Sequence, residues 1–240
     1  MAKGKRVGPV TDAETRFEAG DAGPVSALLR RPGGADRLLV LAHGAGAGMR
    51  HAFMEALAAA LAERGVATFR YQFPYTEAGR RRPDREPVLR ASVAAAVRAA
   101  AAAGGAAVGG LPLFAGGKSM GGRMTSRAAA IDGLADVRGL VFFGFPLHPP
   151  GKPSTDRADH LADVEIPMLF LQGERDAFGG LDLVEPLVER LGRGATLQVV
   201  AGADHGFHVP KRTGRSDAEV LVELADRTDR WSANILAGRT

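Results

Sequence analysis

Three short stretches of this 240-residue chain carry residue types that together perform covalent acyl chemistry. The first is Gly117-Lys118-Ser119-Met120-Gly121, a G-x-S-x-G pattern between an apolar run and a helical pattern. In that context the serine sits on a sharp strand-to-helix turn, with small neighbours letting strand and helix backbones approach. A serine hydroxyl is a poor nucleophile on its own and needs a general base oriented by a third group. The second stretch, Gln172-Gly173-Glu174-Arg175-Asp176, offers the acid, and the third, Ala203-Asp204-His205-Gly206-Phe207-His208, offers the base. Their order along the chain, Ser then acid then His, is the one this elbow uses. Asp176 and Glu174 both qualify; Asp176 lies further past the strand end, where the turn reaches back toward a histidine. His205 is preferred over His208 because it is nearer its strand and beside a glycine, and Asp204 is read as holding the turn through backbone N–H groups.

The same letters admit other chemistries, and each fails on a particular residue. A phosphate loop ending in Gly117-Lys118-Ser119 needs glycine at position 112, which is Pro112. A dinucleotide fingerprint starting at Gly44 needs glycine at position 49, which is Met49. The His205/His208 pair has metal-ligand spacing, but no further ligand cluster supports metal binding. The glycine-rich turn His43-Gly44-Ala45-Gly46-Ala47-Gly48 instead suits oxyanion stabilisation: Ala45 N–H is expected to act with the N–H of Met120, the residue after the nucleophile. His43 itself is read as a structural loop residue. With Gly44, Tyr75, Phe145 and His148 it is placed around the substrate pocket.

The elements that must position these groups are legible as alternating patterns. Short apolar runs at 38–41, 66–71, 113–115, 140–143, 168–171 and 197–200 read as strands. Helical patterns at 53–64, 88–103, 121–131, 181–191 and 217–236 fall between or after them. Wholly apolar strands separated by helices indicate an α/β fold, a mainly parallel sheet with helices on both faces. Residues 7–30 differ, reading as two antiparallel strands joined around Gly20-Asp21. No linker, repeat or low-complexity tail divides the chain, so residues 1–240 are expected to form one domain. Ser119 and both candidate loops then share the carboxyl edge of the sheet, where open α/β sheets bind ligands.

Composition narrows the class. The chain is 45% hydrophobic and 24% charged and contains no cysteine, which excludes disulfides, thiolate metal sites and a thiol nucleophile. Lys+Arg 31 against Asp+Glu 27 leaves a net charge of only +4, and aromatics are 6%, so a nucleic-acid surface is not expected. The run Arg80-Arg81-Arg82 is read as a solvated loop, with a clamp for an acidic substrate as the alternative. The basic start at residues 1–6 is followed by Thr11-Asp12-Ala13-Glu14 and not by an apolar segment, so no signal peptide is expected. The uncharged run at 99–117 is broken by Gly and Pro and is too weakly apolar to span a bilayer. A cytoplasmic protein without membrane contact, a monomer or homodimer, is expected.

With these residues in place, the chain resembles α/β-hydrolases of the dienelactone-hydrolase-like branch over essentially its whole length. A narrower likeness rests on three stretches. These are Phe73-Pro74-Tyr75-Thr76-Glu77-Ala78-Gly79-Arg80-Arg81, Gly117-Lys118-Ser119-Met120-Gly121-Gly122-Arg123 and Phe145-Pro146-Leu147-His148-Pro149-Pro150-Gly151-Lys152-Pro153. They resemble the α/β-hydrolase-like domains of a testis-expressed protein and a nonspecific-lethal chromatin-complex subunit. The resemblance implies a Ser119–Asp176–His205 triad, no metal or cofactor, and no particular substrate. Residues 145–160 stand where the fold inserts its lid and are long enough only for a short flap; residues 73–82 are expected to form another wall. The expected activity is hydrolysis of a small acyl substrate through an acyl-enzyme. The alternative is a hydrolase-like binding or scaffold domain with little turnover.

Overall fold

The computed structural model describes residues 7–103, 110–149 and 151–239. The basic start at 1–6, the middle of the uncharged run at 104–109 and Pro150 of the 145–160 segment lie outside the described residues. Eight strands form one sheet: β1 (Val10–Glu18), β2 (Pro24–Pro32), β3 (Arg37–Ala42), β4 (Val66–Tyr71), β5 (Leu113–Lys118), β6 (Val137–Phe143), β7 (Met168–Gly173) and β8 (Ala195–Val200). Their order is β1-β2-β4-β3-β5-β6-β7-β8. The β1–β2 and β2–β4 pairs are antiparallel and every other neighbour pair is parallel, which gives the antiparallel edge expected from residues 7–30.

Helices cover both faces because the central strands are apolar on both. Leu38, Val40 and Ala42 of β3 point into one core, while Leu39 and Leu41 point into the other. Helices α3 (Glu86–Ala103), α4 (Met120–Asp132) and α5 (Leu181–Leu191) pack on the first face. Helices α1 (Ala52–Ala62) and α6 (Asp217–Leu236) pack on the second, through Met54, Leu57 and Leu61 and through Val220, Leu224 and Trp231. Each fully buried Leu contributes roughly 1.5–3 kcal/mol, so the two cores hold the strand ends in a rigid row. A short helix α2 (Pro74–Glu77) follows β4, and a 3-10 segment spans Asp156–Asp163.

The sequence-based boundaries differ mainly at strand ends. Strand β5 runs on through Gly116, Gly117 and Lys118, where pairing with β3 on one side and β6 on the other outweighs the weak strand preference of glycine. Strand β7 likewise continues to Gly173 and β8 begins at Ala195. Among the described residues no helix is long and apolar enough to cross a membrane.

Candidate active site

The turn after β5 is built by steric necessity. A Cβ on Gly117 would lie 2.4 Å from the Ala42 carbonyl oxygen and 2.9 Å from the Gly121 backbone, and one on Gly121 would lie 2.4 Å from the same oxygen. Only hydrogen fits at both positions, so α4 starts directly against β3. Between them Ser119 takes φ 52° and ψ −116°, a conformation that L-residues rarely adopt. Its side chain makes no capping bond to α4. The hydroxyl therefore stands free above the carboxyl edge of the sheet, at the positive end of the helix dipole.

Two other strand ends meet it. His205, in the loop after β8, lies with Nε2 2.9 Å from Ser119 Oγ. On the other side of its ring, Nδ1 is 2.7 Å from Oδ2 of Asp176, in the loop after β7. Nδ1–H donates to the carboxylate, which leaves Nε2 free to accept from the serine. Asp176 is buried, and its carboxylate is held on both oxygens: Gln172 Nε2 donates to Oδ2 at 2.9 Å and the Phe178 N–H donates to Oδ1 at 2.8 Å. Glu174, the other acid of that loop, instead accepts from the Gly202 N–H. His208 is exposed and faces Asp217 on α6, which leaves His205 as the histidine at the serine. Asp204 Oδ1 accepts from the N–H groups of Gly206 and His208, the turn-holding role expected of it.

Ser119, Ala45 and Phe178 line two cavities whose other walls differ. The first, of about 380 Å³, runs past Gly44, Phe53, Met54, Lys118 and His205. The second, of about 340 Å³, runs past Met120, Arg123, Met124 and Arg157. Ala45 sits in the glycine-rich turn after β3, and Met120 opens α4, where a first-turn N–H has no intrahelical acceptor. Both expected oxyanion donors thus belong to residues beside Ser119.

Four residues expected around the pocket are elsewhere, and the structure corrects their placement. His43 is fully buried beneath the site: Nδ1–H donates to the Gly44 carbonyl at 2.9 Å and Nε2 accepts from the Phe73 N–H at 3.2 Å. Burial pushes its pKa down to about 4. Tyr75 is also buried, because Pro74 starts α2 immediately after β4 and turns the ring onto Phe73 and His43. Phe145 packs its ring against Phe142 and Phe170. His148 is buried with Nδ1 against its neighbour's carbonyl, that of Pro149. Residues 145–148 support the site indirectly, since Leu147 N–H donates to the Phe178 carbonyl at 2.7 Å. Arg80, Arg81 and Arg82 are exposed and line neither cavity, so residues 73–82 do not form the expected wall.

Several lining residues escaped the sequence reading. Phe178 packs its ring 4.5 Å from the His205 ring, centroid to centroid, and lies two residues past Asp176. Lys118 is inside the G-x-S-x-G pattern itself. Its ammonium donates to the His205 carbonyl at 2.6 Å, lies over the rings of Phe53 and Phe207, and is pushed down to about 8 by burial. A Cβ on Gly144 would come within 3.3 Å of Lys118 Nζ, Asp176 Oδ2 and His205 Nδ1 alike, so these three polar atoms converge on one glycine. Only the motif's middle positions signalled Lys118; Phe53 and Met54 carried no signal beyond opening a helix. No group of three or more His, Asp or Glu side chains among the described residues is placed to hold a metal ion.

Comparison with known proteins agrees with this fold. The family described as "Alpha/beta hydrolase domain" matches residues 35–233. The chain belongs to that family. Among solved structures, this α/β-hydrolase is similar to the dienelactone hydrolase of Anabaena variabilis, with a TM-score of 0.71, 20% identity and coverage of 92% of this chain and 96% of that one. It is similar also to an α/β serine hydrolase without a lid from Xanthomonas campestris, with a TM-score of 0.69, 20% identity and coverage of 95% and 98%. A third relative is a putative α/β-hydrolase of unknown function from Agrobacterium tumefaciens, with a TM-score of 0.72, 18% identity and coverage of 94% and 97%. At these identities the likeness of this α/β-hydrolase to each is one of fold.

Proposed function

We propose that the protein is a serine hydrolase that cleaves a small ester or related acyl compound through an acyl-enzyme on Ser119. One observation carries the reading: the unbroken relay Ser119 Oγ–His205 Nε2 at 2.9 Å and His205 Nδ1–Asp176 Oδ2 at 2.7 Å, at a serine held with positive φ at a helix N-terminus. Ser119 Oγ attacks the substrate carbonyl and its proton passes to His205 Nε2. Asp176 fixes the tautomer and favours the imidazolium that forms. The N–H groups of Met120 and Ala45 hold the oxyanion, each such donor being worth roughly 10²–10³ in rate. His205 then gives the proton to the leaving group, and water releases the acid by the reverse relay.

The segment 145–160 acts here as a buttress and flap and not as a deep cap, so the site takes small or open-ended substrates. A fluorophosphonate probe tests the assignment. Labelling of the wild type at neutral pH, absent in Ser119→Ala, is the expected result. Equal labelling of both, or none of either, would overturn it and leave the scaffold reading in place.

A further inference from the structure

The two cavities beside Ser119 differ in charge, and that difference bears on which acyl group fits. His205 lines only the first. Because His205 delivers its proton to the departing atom, the leaving group occupies the first cavity and the acyl chain extends into the second. The second contains four charged residues: Asp84, Glu86, Arg123 and Arg157. Each acid has one oxygen engaged outside it. Asp84 Oδ1 accepts from Arg80 at 2.7 Å, and Glu86 Oε1 accepts from Arg127 at 2.5 Å.

The two arginines are not engaged. Among the described residues neither the Arg123 nor the Arg157 side chain makes a hydrogen bond or ion pair, and Arg123 Nε is buried without a partner. Arg123 is disfavoured as a cation by burial first and by the nearby Arg157 next. Leaving a buried donor unsatisfied is unfavourable, and a ligand that accepts from it removes that cost. Glu86 offsets part of the Arg123 charge from a distance, but two guanidinium groups in one cleft with no direct partner gain most from a planar anion that accepts from both. Their carriers are fixed. Arg123 is one turn along α4 from Ser119, a rise of about 6 Å. Arg157 sits on the 3-10 segment, which is tied to the same helix by Ser126 Oγ and His160 Nε2 at 2.7 Å.

We propose that Arg123 and Arg157 bind a carboxylate at the far end of the acyl chain, so that the enzyme hydrolyses half-esters or half-thioesters of dicarboxylic acids. The proposal rests on Ser119 as nucleophile. The bond formed is Ser119 Oγ to the acyl carbon and the bond broken is that carbon to the leaving oxygen or sulfur, which departs with the proton from His205. Water then yields the free diacid. Asp84 Oδ2, buried and without a hydrogen-bond partner, favours a cation in the same cleft, and it supplies the counter-test.

The experiment compares kcat/KM for the monoethyl ester of adipic acid, ethyl hexanoate and ethyl 6-aminohexanoate, at low and high salt, in wild type, Arg123→Gln, Arg157→Gln and Arg123→Lys. The wild type is expected to prefer the adipate half-ester over the hexanoate ester by about tenfold or more, with the preference shrinking in salt. Each Gln substitution should reduce that ratio about tenfold or more, and Arg123→Lys should restore part of it. Equal or better use of the neutral ester by wild type, preference for the amino ester, or an unchanged ratio in both Gln variants would overturn the proposal. A separate arm measures adipate binding to Ser119→Ala by calorimetry, where no turnover is needed. Binding that is lost in Ser119→Ala/Arg123→Gln supports the subsite even if fluorophosphonate labelling fails; no binding to Ser119→Ala refutes it even if labelling succeeds.

Discussion

Two histidines follow parallel strands of this sheet, and they have opposite fates. His205, after β8, keeps Nε2 directed at Ser119 and borders a cavity. His43, after β3, spends both nitrogens on backbone groups, Gly44 carbonyl and Phe73 N–H, and is sealed by Phe73 and Tyr75. Both lie beyond the carboxyl end of a parallel strand. What separates them is whether a ring nitrogen ends on the backbone or on a side-chain hydroxyl next to space. A ring whose bonds all end on backbone groups stabilises the turn that shapes the site; one bonded to a hydroxyl beside a cavity is available for chemistry.

The sharpest test of that contrast is removal of the two groups. His205→Ala is expected to lower kcat for a small acyl ester by about 10⁴ or more, as in other relays of this type, while the chemical-denaturation midpoint moves little. Asp176→Asn should cost roughly 10⁴, because the amide no longer fixes the imidazole tautomer. His43→Ala should show the opposite pattern. It strands the Phe73 N–H and opens a void, and a loss of about 2–4 kcal/mol in urea unfolding is expected, with fluorophosphonate labelling of the folded fraction retained. If His43→Ala abolished labelling in folded protein, the division between the two histidines would not hold.

Acidification probes the same pair. His43 titrates near 4 in the folded protein, because burial disfavours its charged form, and near 6.5 when unfolded. Between those values the unfolded state binds a proton that the folded state does not, so stability is lost as pH falls from about 6.5 toward 4. The loss from this residue is on the order of 3 kcal/mol. His160, tied to Ser126 and lowered to about 4 by burial, acts in the same direction. Denaturation midpoints measured across that window should fall, and His43→Gln, which keeps an acceptor but does not titrate, should flatten the dependence.

The smallest effect is expected at Lys118, which supports His205 without being part of the relay. Lys118→Met keeps an apolar stem against Phe53 and Phe207 but loses the bond to the His205 carbonyl, and kcat should fall about three- to tenfold. Because Lys118 titrates near 8, the wild-type rate should also change as pH passes through that value. A pH profile of Lys118→Met that kept the same step near 8 would assign it to another group.

The alternation of apolar strands and helical patterns was enough to place eleven of the elements to within a few residues. The Ser, acid and His loops could be ordered because each follows a strand end. Asp176 could be separated from Glu174 by its distance past the strand, although Gln172 and Phe178, which hold its carboxylate, were not visible as partners. The pocket was much less legible. Tyr75, Phe145 and His148 have the polarity and position of lining residues, yet α2 and the aromatic packing on Phe142 and Phe170 turn them inward. The arginines were visible as a run at 80–82, but the ones beside the serine are Arg123 and Arg157, brought together from α4 and a 3-10 segment 34 positions apart.

By itself the sequence determined a mainly parallel sheet with an antiparallel edge, the absence of any thiol, and a G-x-S-x-G pattern between a strand and a helix. Those properties depend on local pattern and on residue identity, which a single chain displays directly. Tertiary structure alone decided what each polar group is paired with. That outcome depends on distant segments: the Phe73 N–H for His43, the Ser119 hydroxyl for His205, and no partner among the described residues for Arg123 Nε. Availability for chemistry is a property of the partners that the rest of the fold supplies or withholds, and only the assembled packing reveals it.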